Sequence, residues 1–313
     1  MSDAWNPITG CSVVSAGCKH CYAMRLAGTR LRHHPSRAGL TRETSAGPVW
    51  TGEVRLNTEW LDQPLHWRKA RRIFVCAHGD LFHESVPYEW IDYVFAVMRE
   101  ACWHRFQVLT KRPARMLDYL SYSRTEARIE RAANALANAE RIRLVVDGDL
   151  AGWPVPNIHL GVSVEDQAAA DERIPLLLQT PAAVRFISAE PLLGPINLDV
   201  PADGAKVDAL RGARPAWPSL DWVIAGGESG PGARPSHPDW FQSLRDQCVA
   251  AGVPFFFKQW GEWLPMMGHA EGVPVRNQKF IHPDGTIMGY AGKRAAGRLL
   301  DGRKWNEFPR SDP

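Results

Sequence analysis

Seven short runs of apolar, β-branched or aromatic residues recur along the chain: AWNPITG (4–10), RIFVCAHG (72–79), RFQVLTK (105–111), IHLGVSVE (158–165), VRFISAE (184–190), DWVIAGGE (221–228) and PFFFKQW (254–260). Each ends in polar residues, as a buried strand does where it runs out into a loop. Between them, apolar positions fall at helical spacing in YEWIDYVFAVMREAC (88–102), EDQAAADERIPLLLQ (165–179) and HPDWFQSLRDQCVAAG (237–252), the last closing on a glycine suited to a helix C-cap. Strand alternating with helix predicts an α/β fold with right-handed crossovers: a partial (β/α) barrel of about six to seven parallel strands.

Three segments interrupt the alternation. SRTEARIERAANALANAERIRL (123–144) is alanine-rich and charged, and predicts an inserted helix. VPADGAKVDALRGARPAWPS (200–219) is rich in glycine and proline and predicts a mobile loop. After Trp263 the pattern changes to two short runs around Pro-Asp-Gly in KFIHPDGTIMGY, which predicts an antiparallel hairpin. The expected organisation is therefore a barrel over 1–263 followed by a hairpin and tail over 264–313.

In such folds active sites collect where strands end and lead into helices. The polar residues at the predicted strand ends are Asp80, Lys111 with Arg112, Ser163 with Glu165, Glu190, Glu228 with Ser229, and Lys258 with Gln259. They are expected to face one mouth.

Composition narrows the setting. A chain of 313 residues can bury a core without disulfide staples. It has no basic start followed by an apolar run, and no eighteen consecutive apolar residues, so neither a signal peptide nor a membrane span is expected and the location reads as cytoplasmic. The net charge of +3 is too small to argue for nucleic-acid binding. Basic residues do cluster in RLAGTRLRHHPSR (25–37), HWRKARR (66–72) and LTKRPARM (109–116), which fit a solvated helix face or a phosphate-binding surface equally well.

Three of the six cysteines, Cys11, Cys18 and Cys21, stand in TGCSVVSAGCKHCYA directly after the first predicted strand. In a reducing compartment such thiols hold a metal or do redox chemistry more often than they form disulfides. A zinc ion would add a histidine such as His20, His33 or His34 to make a closed structural site. A 4Fe-4S cluster would use three thiolates on three irons and leave the fourth iron open. The C-x6-C-x2-C spacing lacks the paired form of structural zinc sites, and a loop at a barrel mouth is a place for chemistry, so the cluster is favoured. Cys76, Cys102 and Cys248 read as small core residues.

Three clustered cysteines after the first strand of such a barrel resemble the radical S-adenosylmethionine (SAM) enzymes, whose usual spacing is C-x3-C-x2-C. The chain departs from that spacing with a first gap of six residues, and His20 stands where an aromatic residue commonly precedes the third cysteine. It is more closely similar to a phage and bacterial family of uncharacterised, radical-SAM-like three-cysteine-motif proteins. The stretches that carry this resemblance include WNPITGC, GCKHCYA, DLFHE (80–84), LTKRP (109–113), GVSVEDQ (161–167), FISAEPLLGPI (186–196), DWVIAGGESGPGARP (221–235) and FFFKQWGEW. They are spread over nearly the whole chain.

The resemblance implies two cofactors, a 4Fe-4S cluster on Cys11, Cys18 and Cys21 and SAM bound to the open iron. Cleavage of SAM would give a 5′-deoxyadenosyl radical, with the electron coming from an external donor. It implies that Asp80 pairs with the SAM ammonium, and that Ser163 and Glu165 meet the ribose or methionyl part. Lys111 and the run Gly226, Gly227 and Ser229 are further cofactor-side candidates, while Glu190, Glu228 and Lys258 are the candidates for chemistry on the substrate. The expected substrate is bulky, nucleic acid first because of the basic clusters, with a protein partner as the other choice and no role for a membrane. The competing reading is a zinc-stabilised nucleic-acid-binding or phage-associated adaptor without catalysis.

Overall fold

The computed structural model describes residues 3–139, 152–202, 204–212, 218–267, 273–276 and 278–309. Seven strands form one parallel sheet: β1 (Asp3–Trp5), β2 (Arg72–Val75), β3 (Arg105–Thr110), β4 (Ile158–Ser163), β5 (Val184–Ala189), β6 (Trp222–Gly226) and β7 (Phe255–Gln259). Their order in the sheet follows their order in the chain without reversal. That is the singly wound order of a (β/α) barrel, and because β1 and β7 are end strands the barrel is partial. All six residues of β4 are buried, as expected for a strand covered on both faces.

By contacts the chain divides into two compact units. The first comprises the segment up to Val14, Cys21–Gly161 and Gln179–Val184. Here β1 pairs with β2 (Ala4 opposite Phe74) and β2 with β3 (Phe74 opposite Gln107). Helix α1 (Tyr22–Gly28) buries Ala23, Met24 and Ala27 against Leu40 and Trp50, with Cys11 and Cys21 packed at the margin of this cluster. Helix α2 (Tyr88–Glu100) joins β2 to β3. Helices α3 (Pro113–Ser121) and α4 (Thr125–Asn138) follow β3. The expected insert 123–144 is thus helical from Thr125 to Asn138, and its last five positions lie outside the described residues.

The first apolar run is not one strand. Only Asp3–Trp5 joins the sheet, whereas Ile8–Thr9 turns away to pair antiparallel with Arg55–Leu56. Pro7 has no N–H to give a ladder. The Asn6 side chain instead accepts from the His78 N–H at 2.9 Å, and the Asn57 N–H bonds the Pro7 carbonyl at 2.7 Å. Cys76 is likewise not mid-strand: β2 stops at Val75, and Cys76 is buried just beyond it with a left-handed φ of 54°. Cys102 lies just past the end of α2 and is exposed, so it is no core residue.

The second unit comprises Ser15–His20, Val162–Leu178 and the chain from Arg185 onward. Helix α5 (Gln167–Gln179) follows β4, and helix α6 (Pro238–Ala251) joins β6 to β7 and ends on Gly252 at φ 70°, the cap that the sequence pattern predicts. The segment expected to be a mobile loop contains an ordered hairpin, Asp199–Ala202 against Ala205–Asp208, with Val200 and Val207 buried. Alternating apolar positions in Asp199–Ala202 and Ala205–Asp208 are enough to make a short ladder, and the proline and glycine content of the segment obscures them. Residues 213–217 of that segment lie outside the described residues.

The hairpin around Pro283-Asp284-Gly285 is present (Lys279–Ile281 with Ile287–Tyr290), and Trp263–Pro265 adds a third antiparallel strand to it. The tail then returns along β7. The Phe257 N–H bonds the Trp305 carbonyl, Trp222 Nε1 donates to the Glu307 carbonyl, and Asn306 bridges Phe256. No described helix is long and apolar enough to cross a membrane.

Candidate functional site

The loop from Gly10 to Cys21 carries the three clustered thiols and leads into α1. Gly10 opens it at φ 98°, where a Cβ would come within 2.1 Å of the Glu53 carbonyl oxygen, so only glycine fits. None of the six cysteines is in a disulfide, and Cys11, Cys18 and Cys21 are each partly exposed. Three soft thiolate donors on one short loop suit a cluster of iron and sulfide or a zinc ion.

In the first unit, Asp80 stands beyond the end of β2 and is 5% exposed. Its Oδ1 accepts from Thr110 Oγ1 at 2.7 Å and from the Phe82 N–H at 3.0 Å; its Oδ2 accepts from the Lys111 N–H at 3.1 Å and from Arg112 Nη1 at 3.0 Å. These four donors occupy the acceptor sites of the carboxylate. Arg112, buried in turn, donates from Nε to Glu84 at 3.2 Å and from Nη2 to Ser12 Oγ at 2.7 Å. Its Nη1 also lies 3.4 Å from Cys11 Sγ. Burial opposes the Arg112 charge, but Asp80, Cys11 and Glu84 outweigh it and hold the guanidinium firmly protonated.

His83 completes this network. Its Nδ1 accepts from the Ser85 N–H, so its proton sits on Nε2 and points to Ser12 Oγ at 3.0 Å. Burial and the Arg112 charge both push the His83 pKa down and keep the ring neutral. Just after the loop, Tyr22 stacks edge-on against His78 and donates to the Ala77 carbonyl. His78 Nδ1 accepts from Arg37, and burial together with that charge lowers its pKa to about 4.

In the second unit, Glu165 is 1% exposed and grips the middle of the cysteine loop. Its Oε1 accepts from Ser15 Oγ and from the Gly17 N–H at 3.2 Å, while its Oε2 pairs with Arg173 at 2.8 Å. A Cβ on Gly17 would lie 2.8 Å from Glu165 Oε1, so the absence of a side chain is what lets the carboxylate approach. Ser15 Oγ also lies 3.8 Å from Cys18 Sγ. Ser163 is the buried last residue of β4, and its carbonyl accepts from Arg173 at 2.8 Å.

Glu228, beyond β6, takes Arg234 in a fork, with Nε 2.8 Å from Oε2 and Nη2 2.5 Å from Oε1, and also accepts from His20 Nδ1 at 3.1 Å. Burial alone would push the Glu228 carboxyl up, but the bonds from Arg234 and His20 hold it below the ordinary range. Arg234 Nη2 reaches on to the Ala16 carbonyl at 3.1 Å. Glu190, after β5, accepts from Lys258 Nζ and Gln259 Nε2, both at 2.7 Å. Ser229 is half-buried beside Glu228.

The glycines at the end of β6 have a packing reason. A Cβ on Gly227 would fall 1.9 Å from the Trp260 carbonyl oxygen, and one on Gly226 would lie 3.1 Å from the Glu190 carboxyl. The structure therefore joins residues into sets within each unit: Asp80 and Lys111 with Arg112 and Cys11; Glu165 with Ser15 and Gly17; Glu228 with His20 and Arg234; Glu190 with Lys258, Gln259 and Gly226. The sequence patterns place Arg112 only among the basic strand-end residues and His20 only among possible zinc ligands, and they pass over Ser15. Their neighbours in the chain carry a signal, since LTKRP and DLFHE supply the two halves of the Arg112–Asp80–Glu84 network.

A family model described as "Protein of unknown function (DUF5131)" matches residues 1–309, and the chain belongs to that family. No curated protein and no solved structure matches the chain.

Proposed function

We propose that this member of the DUF5131 family is an enzyme that carries a 4Fe-4S cluster on Cys11, Cys18 and Cys21 and uses it with SAM to act on a nucleic acid. The observation that carries the proposal is the three-thiol loop itself, placed after the first strand of a singly wound parallel sheet. Arg112 meets that loop at Cys11 and Ser12 in one unit, and Glu165 meets it at Ser15 and Gly17 in the other.

When bound, the cluster and SAM would supply a one-electron cleavage that yields a 5′-deoxyadenosyl radical able to abstract hydrogen from the substrate. The chain's own part is to orient and to handle protons. Asp80, Glu165 and Glu228 are already engaged by protein donors, so they act by holding Arg112, the loop backbone and His20 in place. Lys258, 53% exposed and paired with Glu190, retains ammonium donors beyond that contact and can give a proton to a substrate atom from Nζ. Gly226 and Gly227 are packed against the Glu190 carboxyl and the Trp260 carbonyl, so of that run it is the half-buried Ser229 whose side chain a ligand could reach.

One observation favours a second reading. Metal-bound histidines commonly donate their other ring nitrogen to a carboxylate, and His20 does this toward Glu228 at 3.1 Å. Zinc held by the three cysteines and His20 Nε2 would make the protein a non-catalytic binder.

Metal and sulfide analysis of anaerobically purified protein, with a visible spectrum, separates the two. The enzyme reading expects iron and acid-labile sulfide, lost on replacing any one of the three cysteines with alanine, and formation of 5′-deoxyadenosine from SAM under reduction. Stoichiometric zinc with no iron or sulfide after reconstitution would sink it.

A further inference from the structure

We infer that Arg112 is a positioning residue that sets the reduction potential of the loop's iron–sulfur cluster through its contact with Cys11 Sγ. The inference rests on the proposal that the loop holds such a cluster. Arg112 is 7% exposed, and its guanidinium is fixed from three sides: Asp80 Oδ2 at 3.0 Å, Glu84 Oε1 at 3.2 Å and Ser12 Oγ at 2.7 Å. Asp80 is itself held by Thr110 and by the N–H groups of Phe82 and Lys111. With its partners so constrained, Nη1 is directed at Cys11 Sγ at 3.4 Å. A salt bridge serving only to hold β3 to β2 would have no use for that last contact.

A donor on a ligating sulfur draws electron density from it and stabilises the cluster after it gains an electron, so the potential rises. The step is a single-electron reduction by an external reductant. The cluster is reduced, the reductant oxidised, and Arg112 neither gains nor loses a proton. Asp80 and Glu84 partly offset the arginine. Removing the guanidinium would leave their two negative charges unbalanced near Cys11, whereas removing the Glu84 charge would leave the arginine less compensated.

The test is to reconstitute the wild type, Arg112→Lys, Arg112→Met and Glu84→Gln anaerobically, count iron and sulfide, and measure each midpoint by a dithionite titration followed by electron paramagnetic resonance. Arg112→Met is expected to lower the reduced-to-oxidised ratio at a fixed potential at least about tenfold, a shift of about 59 mV for a one-electron couple. Arg112→Lys should fall between it and the wild type, because an ammonium keeps the charge but cannot span Asp80, Ser12 and Cys11 together. Glu84→Gln should shift slightly the other way, and its side chain, 63% exposed, makes it the variant sure to fold. Equal midpoints in the wild type and every variant that carries a cluster would overturn the role of Arg112. Should the Arg112 variants lose the cluster, an unchanged midpoint in Glu84→Gln overturns it. A wild type without iron or sulfide removes the underlying proposal and the inference with it.

Discussion

At the scale of single residues, the polar groups at the strand ends are occupied by one another. Glu228 shows what this means for stability. Its carboxyl is held below the ordinary value of 4.5, so the folded state binds fewer protons there than the unfolded chain does. The resulting stability is fully present above that ordinary value and is lost as pH falls below it, through the depressed folded value. Glu228→Gln removes the charge that Arg234 and His20 address, and hydrogen bonds to a charged group are worth about 2 kcal/mol. Denaturant unfolding should find the wild type more stable by about that amount at neutral pH, with the gap closing as pH falls below about 4.5. A gap independent of pH would show that the carboxylate's charge is not what stabilises this corner.

At the scale of elements, close backbone approach decides where glycine stands. Gly227→Ala would drive a Cβ to 1.9 Å from the Trp260 carbonyl oxygen, an atom fixed between β7 and its following turn. Overpacking against backbone costs about 3 kcal/mol. Gly285, at φ 93° with open space around its would-be Cβ, is the control: alanine there carries only the left-handed penalty of about 1–2 kcal/mol. Thermal unfolding of both variants should rank them in that order, and equal losses would mean that the β6 end yields easily. The tail makes a second element-scale case. Trp305 and Asn306 run along β7, which is otherwise the open edge of the sheet. Exposed edges invite pairing with other chains. Deleting the chain from Arg303 onward should leave a protein that self-associates in light scattering, and a monodisperse truncated protein would show that the tail is dispensable for covering the edge.

At the scale of the whole molecule, charge is nearly balanced at +3, so any nucleic-acid contact must come from local clusters. Arg25, Arg30 and Arg32 are exposed on and just after α1, in the segment that follows Cys21. If they neutralise phosphates, oligonucleotide binding should weaken steeply with salt, and charge reversal at Arg30 and Arg32 should reduce affinity while leaving the cluster spectrum intact. No binding to DNA or RNA at about 50 mM salt, where phosphate contacts are strongest, would turn attention to an acidic protein partner.

Much of this architecture was legible in the chain. The strand runs, the three helices, the Gly252 cap and the Pro-Asp-Gly hairpin depend on periods and turn chemistry spanning a few residues. So does the placing of Cys11, Cys18 and Cys21 on one loop. Local pattern misjudged the first run, because its apolar residues continue through Pro7 while its hydrogen bonds do not, and it passed over the hairpin from Asp199 to Asp208. Tertiary structure alone decided which charged groups meet. Arg112 reaches Cys11 across 101 positions, and Ser15 reaches Glu165 across 150. No period links residues so far apart. Their meeting follows from strand order in the sheet and from the strong penalty on leaving a buried charge without a partner, and both of these exist only once the chain has folded.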